Sequence, residues 1–172
     1  MTILKILQYP NPRLKTVAKT VTVFDDKLQA IIDDMFETHY NTDNCAALAA
    51  TQLDIINPPR ITVIDYSPLK NEPLCLVNPE IIERHGEMIE EEGCMSVGGG
   101  TYERVKRSAK IRVRAQDRYG KTFEFDADGY FAKCVQHELD HLNGMIFLDR
   151  LSTLKRQRVD KRIEKLRRHG DL

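Results

Sequence analysis

The chain has no excess of charge of either sign, because 26 Lys and Arg balance 26 Asp and Glu over 172 residues. Bulk attraction to nucleic acid or to an anionic membrane is therefore not implied, although local patches can still form. No apolar run is long enough to cross a bilayer, and the opening Met1-Thr2-Ile3-Leu4-Lys5 lacks the hydrophobic stretch of a secretion signal. A cytoplasmic protein with no membrane partner is expected. The four cysteines, Cys45, Cys75, Cys94 and Cys134, form no Cys-x-x-Cys pair. In a reducing compartment they are expected to stay free of disulfides, which leaves one available as a metal ligand. Repeats, linkers and low-complexity segments are missing as well. What is present, 41% hydrophobic and 30% charged residues, describes a globular chain that can bury a core as one domain over residues 1–172.

Hydrophobic spacing predicts a helix over 27–40, with Leu28, Ile31, Ile32, Met35, Phe36 and Tyr40 on one face. Small residues Ala46 to Ala50 suit close backbone packing. Strands are predicted at Arg60 to Tyr66, Leu74 to Ile82, Lys110 to Ala115 and Thr122 to Phe125, the last two joined at Tyr119-Gly120. Asp128 is placed to cap a buried helix over Tyr130 to Leu142 that ends at Asn143-Gly144. Ser152 opens a last, basic helix to about Arg168, with Leu154, Val159, Ile163 and Leu166 as its apolar stripe. The pattern predicts an α+β fold: antiparallel sheets around a central helix, with an N-terminal and a C-terminal helix.

That central helix carries His137-Glu138-Leu139-Asp140-His141. Residues four apart share a helix face, so both imidazoles can reach one ion. Glu138 adjoins the first ligand, which sets a carboxylate beside any water there, as hydrolysis of an amide requires. Two histidines need a third protein ligand. Glu164 stands at a spacing seen in His-Glu-x-x-His peptidases, but within a helix so basic that an ion pair explains it better. Cys94, in Glu91-Glu92-Gly93-Cys94-Met95-Ser96, offers a thiolate after a glycine; taken alone, a small buried core residue explains it better.

Three ordered segments resemble the peptide deformylase family. Cys45-Ala46-Ala47-Leu48-Ala49-Ala50-Thr51-Gln52 is similar to its Gly-x-Gly-x-Ala-Ala-x-Gln, Glu92-Gly93-Cys94-Met95-Ser96 to its Glu-Gly-Cys-x-Ser, and Gln136 to His141 to its Gln-His-Glu-x-Asp-His. Leu7-Gln8-Tyr9-Pro10 and Arg13-Leu14 look like the family's opening. The resemblance implies that Cys94, His137 and His141 hold one divalent metal ion, Fe(II) in cells, with Ni, Co or Zn accepted. It implies Glu138 as general base, with the Gln52 amide and the Met95 N–H as donors to the oxyanion. The substrate would be an N-formyl peptide or nascent chain, and the products formate and a free amine. Ala46, Ala47, Glu90, Glu92, Lys133 and Cys134 fall at substrate-binding positions. The family's C-terminal helix docks on the ribosome, a role that the basic residues from Lys155 to Arg168 would suit. A monomer is the default.

The chain also departs from the family. Cys45 and Ala47 replace both glycines of the first motif, where a positive φ would be hard to reach. Gly98-Gly99-Gly100 makes a flexible run after Ser96, readable as a mobile rim of the substrate groove. Ala46, Glu90 and Lys133 stand where large aliphatic residues line the methionine pocket. Glu90 and Lys133 could pair across it, and either pairing or access to water is expected of charges there; an altered first-residue preference would follow unless these side chains point away. Two other readings are a peptidase with Glu164 as ligand, and a ribosome-associated or ligand-sequestering protein without turnover.

Overall fold

Helix α2 (Gly129–Leu142) is the element around which the others gather, buried from Cys134 to Leu142. The computed structural model describes residues 1–172. Asp128 occupies the N-cap position in extended conformation, but its side chain makes no capping bond, unlike the cap read from sequence. At the other end Gly144 takes φ +79°, and a Cβ there would lie 2.6 Å from the Lys15 carbonyl oxygen. Glycine is required at that crossing both for its backbone angle and for its lack of bulk.

Five antiparallel strands form one sheet in the order β1 (Ala47–Ala49), β2 (Ile61–Ile64), β3 (Leu74–Glu92), β4 (Glu103–Gln116) and β5 (Thr122–Asp128). α2 packs on β1, β2, β4 and β5. The strands β3 and β4 run well beyond the predicted spans. Their outer halves are mostly charged, with only isolated apolar residues such as Met88, Ile89 and Val105, so hydrophobic alternation stops marking them. Cross-strand charge takes over there, as where Glu83 faces Arg112 and Glu91 faces Arg104. Pro79 is accommodated by a register shift between Val77 and Glu80. There Asn78, at φ +51°, bonds Val21 in both directions and Gln116.

Helix α1 (Asp26–Tyr40) is capped by Asp25, which accepts from Leu28 N at 3.0 Å, and it buries Leu28, Ile32 and Met35 against β1 and β2. Helix α3 (Thr153–Arg168) starts at the expected Ser152 cap. Only Val159 and Ile163 of its predicted stripe are fully buried, and they pack with Val97, Val105 and Phe147. Leu154 is 58% exposed and lies outside that core. All four cysteines are free, as expected.

The loop after β2 is tied down by Asp65. Its side chain accepts from Tyr40 Oη at 2.6 Å, Ser67 Oγ at 2.5 Å, and the Ser67 and Glu72 N–H groups. Burial pushes this carboxyl up, but the bonds from Ser67, Tyr40 and Glu72 outweigh it and hold it below its ordinary range. A depressed carboxylate contributes stability above its unfolded value and loses it as pH falls through the folded one. Asp65→Asn should therefore cost about 1–3 kcal/mol at neutral pH. The gap from wild type should narrow as the pH falls below the ordinary range of an Asp carboxyl. Thermal unfolding at several pH values reads this directly, and a pH-independent gap would show that the charge is not what matters.

Candidate metal centre

One turn of α2 separates His137 from His141, and their Nε2 atoms lie 3.2 Å apart. Cys94 Sγ, brought in by the turn that follows β3, is 3.3 Å from His141 Nε2. The three ligand atoms all lie within 4.8 Å of one another. Nitrogen at about 2.0–2.1 Å and thiolate sulfur at about 2.3 Å from a tetrahedral ion would stand roughly 3.3–3.6 Å apart. Two edges of the triangle are thus near the spacing around a single ion and the third is no longer than 4.8 Å, and a soft thiolate with two imidazoles suits a borderline divalent metal. Burial lowers the pKa of His141 and keeps it neutral, the form that ligates. Glu164 lies exposed on α3 and is not part of the group.

The orientation of His137 depends on residues beneath it. Glu92 Oε1 stands 2.9 Å from His137 Nδ1 and accepts from Arg107 Nη2 at 2.7 Å, while its Oε2 accepts from Arg107 Nε at 2.8 Å. A proton held on Nδ1 by a carboxylate leaves the Nε2 lone pair for a metal. Arg107 Nη1 donates on to Asp140 at 2.5 Å, and Arg150 grips Asp140 through Nε at 2.6 Å and Nη2 at 2.7 Å. Burial raises the Glu92 carboxyl, yet Arg107 and His137 outweigh burial and hold it at about 2. Glu92 was expected among substrate-binding residues. It does line the cavity, and both its oxygens are engaged by Arg107 and His137, so it also braces the centre from within.

Beside the triangle, Glu138 is 3% exposed and its Oε2 has no hydrogen-bond partner in the protein. Burial first, with Glu92 and Asp140 adding, raises its carboxyl to about 7 against the opposing pull of His137 and Arg107. A carboxylate near neutrality is suited to take a proton and give it back. Gln52 is fixed by its Oε1, which accepts from Ala49 N at 3.0 Å; its Nε2 points at Ser96 Oγ (3.2 Å) and Cys94 Sγ (3.4 Å). Burial pushes the Cys45 thiol up to about 12 and the Cys134 thiol well above its ordinary value. Of the cysteines near Glu138, these two stay protonated, which leaves Cys94 as the available ligand.

A cavity of about 480 Å³ opens onto this group, and Gln52, Met95, Ala46, Ala47, Lys133 and Cys134 all line it as expected. Glu90 does not. It is exposed, outside the cavity, and forms no pair with Lys133. That ion pair is replaced by Lys133 Nζ donating to the Glu91 carbonyl at 3.0 Å, above the Tyr130 ring at 4.9 Å. At Glu90 the strand is still in its solvated arm, two residues before it dives inward at Glu92. Neither Cys45 nor Ala47 has a positive φ, so the lost glycines leave no strain; the left-handed residue is Asn44. Sequence reasoning missed Arg107, Arg150, Tyr102 and Tyr130. A basic residue at a buried strand position would have pointed to Arg107 alone.

Arg107→Met would leave two buried carboxylates short of a partner, and is expected to cost about 3–5 kcal/mol. Glu92→Gln should weaken metal retention about 10- to 100-fold. Denaturant unfolding and metal analysis after dialysis check these, and wild-type values in both variants would remove the network from the account.

Comparison with known proteins agrees with this geometry. The family described as Polypeptide deformylase matches residues 3–157. Peptide deformylase 1 of Coxiella burnetii is 74% identical over 166 residues, covering 96% of this chain and 98% of that protein. The peptide deformylase of Chromobacterium violaceum is 52% identical, covering 96% of each. The crystal structure of a peptide deformylase from Legionella pneumophila superposes with TM-score 0.89 at 44% identity, covering 98% of both chains. Motifs, fold and likeness along nearly the whole chain converge, and the chain belongs to the polypeptide deformylase family.

Proposed function

We propose that this enzyme removes the N-terminal formyl group from formyl-methionyl and related N-formyl peptides, with Cys94, His137 and His141 as metal ligands and Glu138 as general base. Deformylation of N-formyl peptides is the family's function. The observation that carries the residue assignment is the buried, unpartnered Glu138 Oε2 beside the three ligand atoms. A bound divalent ion would supply a Lewis acid that polarises the formyl carbonyl and makes water more acidic. Glu138 takes the proton from the attacking water. The water oxygen bonds to the formyl carbon, and the Gln52 amide and Met95 N–H donate to the oxygen that gains charge. Glu138 then delivers its proton to the departing nitrogen as the C–N bond breaks. Formate and a free N-terminal amine result. Fe(II) is the proposed ion in cells, with Ni, Co or Zn able to occupy the same donors.

Glu138→Gln should keep its metal and lose about 10²- to 10⁴-fold in kcat for formate release. Cys94→Ala should lose metal and activity together, whereas a peptidase that used Glu164 would keep both.

Lys133 supports a second reading within the same function. Its ammonium lines the cavity where an aliphatic wall would suit methionine, and Ala46 adds room. A polar or charged first residue would then be accepted better than in an aliphatic pocket. Formyl-Met, formyl-Lys and formyl-Glu peptides compared for kcat/KM decide this, since a strong formyl-Met preference removes it.

The exposed basic face of α3, with Lys155, Arg158, Lys161, Lys165 and Arg168, suits ribosomal RNA near an emerging nascent chain. No helix is long and apolar enough to cross a membrane, and a cytoplasmic monomer acting as one catalytic unit is consistent with that role. Binding to ribosomes should fall steeply with added salt; binding that ignores salt would rule out this contact.

A further inference from the structure

The run Gly98-Gly99-Gly100 carries no side chains with which to hold itself, yet it forms part of the cavity wall. Gly98, Gly100, Thr101 and Tyr102 line the same cavity as Cys94 and Glu138. A chain of three glycines has the largest conformational freedom to lose on ordering. Its restraint comes from elsewhere in the fold. A Cβ on Gly98 would lie 2.7 Å from Leu172 Cδ2, and one on Gly99 would lie 2.6 Å from Leu166 Cδ1. The two leucine tips therefore rest directly on the loop backbone, closer than any residue with a side chain would allow. Gly99 and Gly100 also take φ +73° and +63°. At the end of the run Arg162 Nη2 donates to Thr101 Oγ1, and that hydroxyl donates to the Gly98 carbonyl at 2.9 Å.

We infer that α3 and the residues after it hold this wall of the substrate cavity in place, with Leu166, Leu172 and Arg162 as positioning residues for Gly98–Thr101. The inference rests on the deformylase reading of the cavity. The contacts come from Arg162 and Leu166, one turn apart on α3, and from Leu172 in the tail, and they meet the loop at Thr101, Gly99 and Gly98. The metal ligands and Glu138 are held separately. His137 rests on Glu92 and Arg107, and Cys94 on its turn with Val97 and on the Gln52 amide. Loosening the wall should weaken the hold on bound peptide and leave the chemical step nearly alone.

The test combines Leu166→Ala with Leu172→Ala in the full chain. Neither leucine belongs to the buried core, so the variant should fold. KM for a formyl peptide should rise roughly 3- to 10-fold, the scale for ordering one mobile segment on binding, with kcat within about twofold. Hydrogen exchange of the amides from 97 to 102 should speed up while α2 stays protected. Leu166→Met with Leu172→Met should restore both, and Leu154→Ala, on the same helix but away from the loop, should change neither. Unchanged exchange at 97–102 would overturn the inference whatever the kinetics. So would a fall in kcat as large as the rise in KM, since the tail would then be acting on the metal group. If the wild type released no formate, the deformylase reading would fall, while the exchange result would still decide whether the tail holds the wall.

Discussion

The orientation of His137 and the bracing of the helix that carries it depend on one buried guanidinium. Arg107 has a side chain only 1% exposed and lies between Glu92 and Asp140, whose side chains are 2% and 7% exposed. Such a cluster is not explained by stability alone, because desolvating three charged groups costs nearly what their attraction returns. Its effect is on position. Glu92 cannot turn away from Arg107, so it holds the Nδ1 side of His137, which aims Nε2 at the metal position. Asp140, one residue before His141, pins the same helix from the other side through Arg150. The two arginines balance the two acids. Glu138 is left as the carboxylate in this group with no cation bound to it, and burial lifts it to about 7. One network thus orients a ligand and leaves the base poised.

The fold serves this network by bringing three distant segments to one place. The long β3–β4 hairpin carries both Glu92 and Arg107: Glu92 pairs with Glu103 and Arg107 with Met88, and the long Arg107 side chain spans that offset to reach the Glu92 carboxylate. The turn after Glu92 then presents Cys94 across from α2. The 3-10 turn Ala50–Gln52 follows the edge strand β1 and sets Gln52 against both Cys94 and Ser96. Thr51 Oγ1, within that turn, donates to the His141 carbonyl at 2.7 Å, so the turn and the metal helix are tied together.

The parts of this legible in sequence were those with a period or a fixed spacing. α1, α2 and α3 were placed within a residue or two, since amphipathic spacing and the Ser152 cap are local signals. His137, Glu138 and His141 could be read from their spacing alone, whereas Cys94 needed its resemblance to a known motif before it outweighed a buried-thiol reading. The outer halves of β3 and β4 escaped, because Glu, Arg and His on both faces erase the alternation that marks a strand. The tie between Glu92 and Arg107 was not legible either, because Arg107 is one of many basic residues along β4. A buried ion pair forms between residues far apart in sequence, and periodicity carries no record of it. Glu90 and Lys133 were paired on charge alone. The strand direction at Glu90 and the nearer carbonyl of Glu91 decided otherwise.

The central claim is that Cys94, His137 and His141 hold the ion with which Glu138 hydrolyses a formyl amide. Its most direct test is formate release from a formyl-methionyl or formyl-lysyl peptide while Fe(II) or Ni(II) is titrated anaerobically into metal-stripped protein. The account predicts release that climbs in proportion to added ion and levels off at one ion per chain, with Cys94→Ala flat throughout. Release that persists in stripped protein, or none from either peptide once one ion per chain is bound, would contradict it.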